Sequence, residues 1–201
     1  MNEVMSLLPG LEMFLRFVLL SLASFWLIGG AFVLGSFLDG TVRHALGYLG
    51  TLLIIVAQVY FLRKRYPSLA WLGPVRVWMK RHEVLTIVGS LLVVVHAGGR
   101  DVPKGLALIS IVFMLVTALS GMIGAYIHNR AVRARGELRS ELRKQGKTEA
   151  EIEEELYLLS LSESAFREWK RVHRPITWFF LATMTLHIFF MILFGGGLKG
   201  A

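Results

Sequence analysis

The sequence predicts an all-α integral membrane protein with five transmembrane helices. Three observations predict it. Hydrophobic residues fill 55% of the 201 positions and the mean hydropathy is +0.59, whereas a soluble domain has roughly 45–50% apolar residues. The excess is concentrated in five runs near the roughly 20 residues that a membrane helix needs. Lys and Arg gather in alternate loops, the charge asymmetry that orients membrane proteins.

The runs cover residues 13–38, 44–62, 82–97, 106–127 and 176–194. The first has no positive segment before it and no small-residue cleavage site after it, so it reads as a retained anchor rather than a signal peptide. Residues 1–43 are therefore set apart as N-terminal helix and connector from the remainder, 44–201. The third run is short unless its polar flanks are included. The loop after the second run carries Arg63, Lys64, Arg65, Arg76, Lys80 and Arg81. The loop after the fourth opens with Arg130, Arg133 and Arg135 and closes with Lys170, Arg171 and Arg174. The other loops are sparse in cations, with Arg43 in one and Arg100 and Lys104 in the other. The cation-rich loops are expected on the cytoplasmic side of the inner cell membrane, with the N-terminus inside and the 195–201 tail outside. Trp71, Trp78 and Trp169 are expected as an aromatic belt at the inner interface.

Residues 131–172 form the one long polar segment, an expected cytoplasmic amphipathic insertion. Thr148 and Glu151 have the spacing of a capping box. Leu156, Leu158, Leu159 and Phe166 give the segment an apolar side, for a solvated hairpin or for a docked partner.

Composition also excludes. The net charge of +8 is accounted for by topology, so no nucleic-acid partner is inferred. The absence of cysteine rules out thiolate-held clusters in this chain and covalent haem attachment through C-x-x-C-H. No Gly-rich phosphate loop or nucleophile elbow is present.

The chemistry lies in the six histidines, His44, His82, His96, His128, His173 and His187. His82 and His96 are 14 positions apart, and so are His173 and His187. At about 100° and 1.5 Å per residue, such a pair shares one helix face about 21 Å apart along the axis. The third and fifth runs cross in the same direction, which puts His82 level with His173 at the inner side and His96 level with His187 at the outer side. Neutral imidazole is a common axial ligand of haem iron. Two bis-His haems at two depths would carry electrons across a layer about 30 Å thick. Two other readings compete: helix–helix hydrogen bonding by isolated histidines, and a zinc site, which needs all its ligands within a few ångströms.

The segments HEVLTIVGSLLVVVH (82–96) and HRPITWFFLATMTLH (173–187) resemble the paired H-x13-H helices of the di-haem membrane cytochrome b superfamily. That superfamily takes in respiratory cytochromes b and ferric-reductase-like transmembrane domains. The resemblance covers roughly residues 44–194. It implies that the second to fifth helices, residues 44–201, form a four-helix bundle with two haem b groups within it, preceded by the one N-terminal helix. Their axial ligands would be His82 with His173 for the inner haem and His96 with His187 for the outer one. It also implies glycines that make room for porphyrin. Gly89 lies between His82 and His96, Gly47 and Gly50 fall near the outer level, and Gly121 and Gly124 near the inner. Close helix packing through small residues is the competing reading for each. Haem propionates need cations or donors, for which Arg81, Arg174 and Arg100 are the first candidates. His44 and His128 are expected at helix ends.

The Pro-Glu-Trp-Tyr run of respiratory quinol oxidation is missing, as is an appended flavin module. The expectation is an electron-transfer subunit working with other subunits of a redox complex. A peripheral dehydrogenase is a candidate partner, and a quinone a candidate acceptor. The chief rival is a haem-free anchor or assembly subunit. A histidine proton relay would need intramembrane carboxylates, and the nearest, Glu12 and Asp39, flank the first run.

Overall fold

The computed structural model describes residues 19, 22–99, 103–158 and 161–194. Every regular element among them is helical. In chain order they are α1 (Leu22–Phe37), α2 (Gly40–Ala57), α3 (Val59–Arg65), a 3-10 turn (Pro67–Leu72), α4 (Val75–Ala97), α5 (Gly105–Lys144), α6 (Glu149–Leu158) and α7 (Leu161–Leu193).

Three stretches are long and apolar enough to cross a membrane: Gly40–Arg65, Gly105–Lys144 and Phe166–Leu193. α1 is apolar but shorter. α4 has 23 residues, but its first two turns carry Arg76, Lys80, Arg81 and Glu83, so only the part from Val84 onward is apolar. The exposed large side chains fit a lipid environment: Trp26, Phe37, Trp178 and Phe194 are each more than 70% exposed, far outside what water tolerates in a packed core element.

Several expected boundaries are corrected. The first run is described as helix only over Leu22–Phe37, and the remainder of 13–21 lies largely outside the described residues. The second is broken at Gln58, between α2 and α3. α4 begins at Val75 rather than at His82. The fourth helix does not stop at 127 but runs unbroken to Lys144. The fifth does not start at 176 but at Leu161, with Pro175 inside it. Segment 131–172 comprises the polar end of α5, a turn, α6 and the polar start of α7. The physical reason is that Ala, Glu, Leu, Arg and Lys propagate a helix as well as apolar residues do. Apolarity marks where a helix meets lipid, not where it ends. At about 1.5 Å per residue the 40 residues of α5 span about 60 Å, twice the hydrocarbon thickness.

The turn after α5 depends on Gly146, whose φ of 79° is the left-handed conformation that closes helices. Its N–H donates to the Arg143 carbonyl (3.0 Å) and that of Lys147 to Leu142 (3.2 Å). α6 then starts on the expected capping box. The Thr148 N–H donates to the Glu151 carboxylate at 2.8 Å, and the Glu151 N–H donates to the Thr148 hydroxyl at 3.4 Å. The Thr148 backbone N–H, then its hydroxyl, hold the Glu151 carboxyl below its usual range. Leu142, Ile152 and Leu156 form a small core with Leu138 against it. Ion pairs of Arg139 with Glu149 and Glu153, Arg143 with Glu149, and Lys147 with Glu155 line its rim. Such exposed pairs contribute at most about 1 kcal/mol each, so the hairpin stands mainly on its leucine–isoleucine contact. Ile152 is 0% exposed. Ile152→Ala is expected to cost about 2–5 kcal/mol locally, seen as faster protease cleavage within 145–158 while the apolar spans stay resistant.

The chain clusters into two compact units. One comprises α1, α2 up to Val56, and α4 from Val88; the other comprises the remainder of α2 with α3, the first half of α4, and α5 to α7. In the first unit α1 meets the end of α4 at Gly35 and Gly98: a Cβ on Gly35 would overlap the Val95 carbonyl, and one on Gly98 the Phe32 carbonyl. In the second, α5 packs along α7, with Phe113 stacked on Phe179 at 5.8 Å.

Candidate functional site

The break at Gln58 positions the first histidine. The Phe61 N–H turns to the Gln58 carbonyl at 2.9 Å, the tighter pattern of an interrupted helix. The Ala57 carbonyl instead meets the His82 ring, with Nδ1 at 3.0 Å. Tyr60 and Phe61 flank the same ring, at centroid distances of 5.5 and 5.4 Å. A carbonyl can only accept, so Nδ1 carries the proton and Nε2 keeps its lone pair.

His96 is held in the same way by different means. Its Nδ1 lies 2.9 Å from the Arg43 carbonyl. That carbonyl belongs to a regular turn of α2, where the Cβ of the residue four positions on leans over it. Here that residue is Gly47. A Cβ there would lie 2.7 Å from His96 Cγ and 2.8 Å from Nδ1. The missing side chain lets the imidazole reach the main chain. Arg43 also donates from Nη1 to the Gly98 carbonyl at 2.9 Å, closing off the end of α4. His44 stands beside the His96 ring, with centroids 5.2 Å apart.

On α7, His173 is 7% exposed. Its Nδ1 is 3.1 Å from the Ser120 hydroxyl, which orients the ring without fixing its tautomer, because a hydroxyl both donates and accepts. Thr177 donates its hydroxyl to the His173 carbonyl at 2.8 Å. Trp169 stacks on His173 with centroids 4.6 Å apart and planes 21° apart. Its Nε1–H donates to the Ser120 carbonyl at 2.8 Å, and Gly124, again four residues past that carbonyl, leaves room for the indole. The three tryptophans expected as a belt differ in setting. Trp71 is exposed, Trp78 bonds Leu72 O at 2.9 Å, and Trp169 is a wedge between α5 and α7. His187 is half-buried on α7, beyond the buried Phe180 and Met184.

Among the four expected ligands, His82 and His173 lie in the same compact unit. His96 belongs to the first unit and His187 to the second. Gly89 serves helix packing: a Cβ there would meet the Gly50 carbonyl at 2.8 Å and Ile54 Cγ1 at 2.9 Å. Gly50 faces Gly89 in return, at 2.7 Å from its carbonyl. Gly121 is beside His173, its notional Cβ 3.8 Å from Cε1. Arg81 lies over the Trp78 ring at 4.9 Å, Arg174 lines an open cleft with Arg167, Lys170, Arg171 and Pro175, and Arg100 lies outside the described residues. His44 is in the second turn of α2, and His128, expected at a helix end, is interior to α5. The orienting atoms, the carbonyls of Ala57 and Arg43 and the Ser120 hydroxyl, were not legible in the histidine spacing. For the Arg43 carbonyl alone there was a signal, the glycine four residues later at position 47.

On His173 both ring nitrogens have a hydroxyl nearby, Nδ1 that of Ser120 at 3.1 Å and Nε2 that of Thr177 at 3.4 Å. Among the described residues no three His, Cys, Asp or Glu side chains gather as metal ligands, and an iron in a porphyrin takes only two from the protein. The Nδ1–carbonyl bonds of His82 and His96 are of the kind that orient metal-bound imidazoles. Comparison with protein-family models, curated proteins and solved structures found no match.

Proposed function

We propose that this chain is a five-span membrane electron carrier that binds two b-type haems, with His82 and His173 as axial ligands of the inner haem and His96 and His187 of the outer. The observation that carries the reading is that both α4 histidines donate Nδ1–H to main-chain carbonyls, at 3.0 and 2.9 Å, the tautomer that puts the lone pair of each ring on Nε2. The pairing across helices rests on the equal 14-residue spacings. When bound, haem supplies a one-electron couple. The protein's part is to present fixed imidazoles, fill both axial positions and surround them with apolar helix. Donor and acceptor are then other components: further subunits of a redox complex, a peripheral dehydrogenase among them, and a quinone or metal acceptor. The polar hairpin of α5, α6 and α7 is the docking surface in this reading.

The second reading, a haem-free anchor subunit, is favoured by one observation. His173 already has Ser120 and Trp169 as packing partners.

The chain purified in mild detergent, after expression with ample haem, separates the two. Dithionite-reduced minus oxidised spectra and pyridine hemochrome should give about two b-haems per chain. His82→Leu and His187→Leu should each remove about one. A colourless wild-type protein would overturn the carrier reading and leave the anchor.

A further inference from the structure

A second site lies on α7, away from the face that carries His173. Arg167, Arg171, Arg174 and Trp178 recur at helical spacing along one side. The first three, with Lys170 and Pro175, line an open cleft of about 380 Å³. The cations occupy the polar start of α7, and Trp178 opens its apolar part, 71% exposed. Polar and apolar ends of one row thus follow the order of an inner membrane interface, with cations at headgroup depth and an aromatic ring just below. Lys170 is drawn over the Phe166 ring at 4.2 Å. Arg171 meets Glu168 at 2.7 Å, an exposed pair that an anion can displace cheaply.

We propose that this cleft binds the phosphate of an anionic membrane lipid. Guanidinium forks take phosphate oxygens in pairs, and the long stems of Arg167 and Arg174 reach along the helix to headgroup level. His173 projects roughly a third of a turn away from the row, so the cleft does not share its face. The proposal needs the membrane span of α7 but no haem, and the two readings can fail separately.

The test is native mass spectrometry of the full chain, delipidated in detergent and titrated with dioleoyl phosphatidylglycerol or dioleoyl phosphatidylcholine. Wild type should retain the glycerol lipid and release the choline lipid. At about fivefold per cation removed, Arg167→Ala/Arg174→Ala should weaken retention about 25-fold. Arg65→Ala/Arg133→Ala, which removes the same charge from exposed positions elsewhere, should change it little. Excess glycerol 3-phosphate should not compete; if it displaces the lipid, the site is one for free phosphate and the lipid proposal falls. Equal retention of both lipids would overturn it too, and so would equal weakening by both double variants. Unchanged lipid retention in Arg167→Ala/Arg174→Ala together with lost haem absorbance would reassign the row to a propionate.

Discussion

If the chain holds the two haems proposed, Gly47→Val should leave it with about one. A notional Cβ at this position already falls 2.7 Å from His96 Cγ, well inside carbon contact distance, and valine adds two methyl groups. The His96 ring must swing off the Arg43 carbonyl, losing the bond that sets both its tautomer and its direction. Outer-shell changes of this kind lower metal affinity about 10–100-fold. Here the ring is moved as well, so the upper part of that range is expected for the outer haem. His82 takes its carbonyl from Ala57, beyond the reach of this change, and the inner haem should keep its band position. Gly29, with nothing within 4 Å of its notional Cβ, is the control: Gly29→Val should retain both. Hemochrome stoichiometry and a redox titration check the prediction. Two haems at wild-type potentials in Gly47→Val would show that the main-chain anchor of His96 is dispensable.

Gly124→Ala should destabilise the α5–α7 pair although alanine is the better helix former. In a helix interior the exchange gains about 1 kcal/mol by propensity alone. Against this stands the Trp169 indole, whose Cζ2, Cε2 and Cη2 atoms a Cβ at Gly124 would overlap. The indole cannot step aside freely. It is held by its bond to the Ser120 carbonyl and stacked between Phe166, at 5.0 Å, and His173, at 4.6 Å. Overpacking of about 1–3 kcal/mol and a lost hydrogen bond of about 1 kcal/mol together exceed the propensity gain. Thermal unfolding in detergent should show a lower midpoint for Gly124→Ala. In the Trp169→Leu background the same substitution should be neutral or stabilising, a coupling that a double-mutant cycle isolates. Additive effects would mean that the indole does not depend on the Gly124 notch.

The sequence made the apolar runs, the two 14-residue histidine pairs and the Thr148–Glu151 cap legible, because each is a local pattern with one period or one fixed offset. The helix ends were not legible. Charged helix formers carry α5 well past its apolar part, and Pro175 sits within α7, where it removes one N–H donor and sets its ring against the Arg171 carbonyl without ending the helix. Nor does any residue near Gln58 announce the interruption that frees the Ala57 carbonyl: the stretch around it is as apolar and helix-prone as the rest. Trp169 looked interfacial because a tryptophan beside cations usually is. Its inward turn depends on Gly124, 45 positions earlier in the chain, a juxtaposition that only tertiary packing creates. The glycines divide the same way. Gly47 sits against His96 and Gly121 near His173, whereas Gly50 and Gly89 face each other across a helix crossing.

The atoms that hold His82 and His96 belong to the main chain, and this shifts where mutation can do harm. A side-chain acceptor is lost with one codon change; the carbonyls of residues 57 and 43 survive whatever is encoded there. Selection on the histidine orientation therefore has no grip on Ala57 and acts on Arg43 only through its second bond to Gly98. It falls instead on the permissive positions, above all Gly47, where any side chain at all intrudes. Among descendants of this chain that keep the histidines, residue 57 is free to drift among small helix formers, while residue 47 is expected to stay glycine.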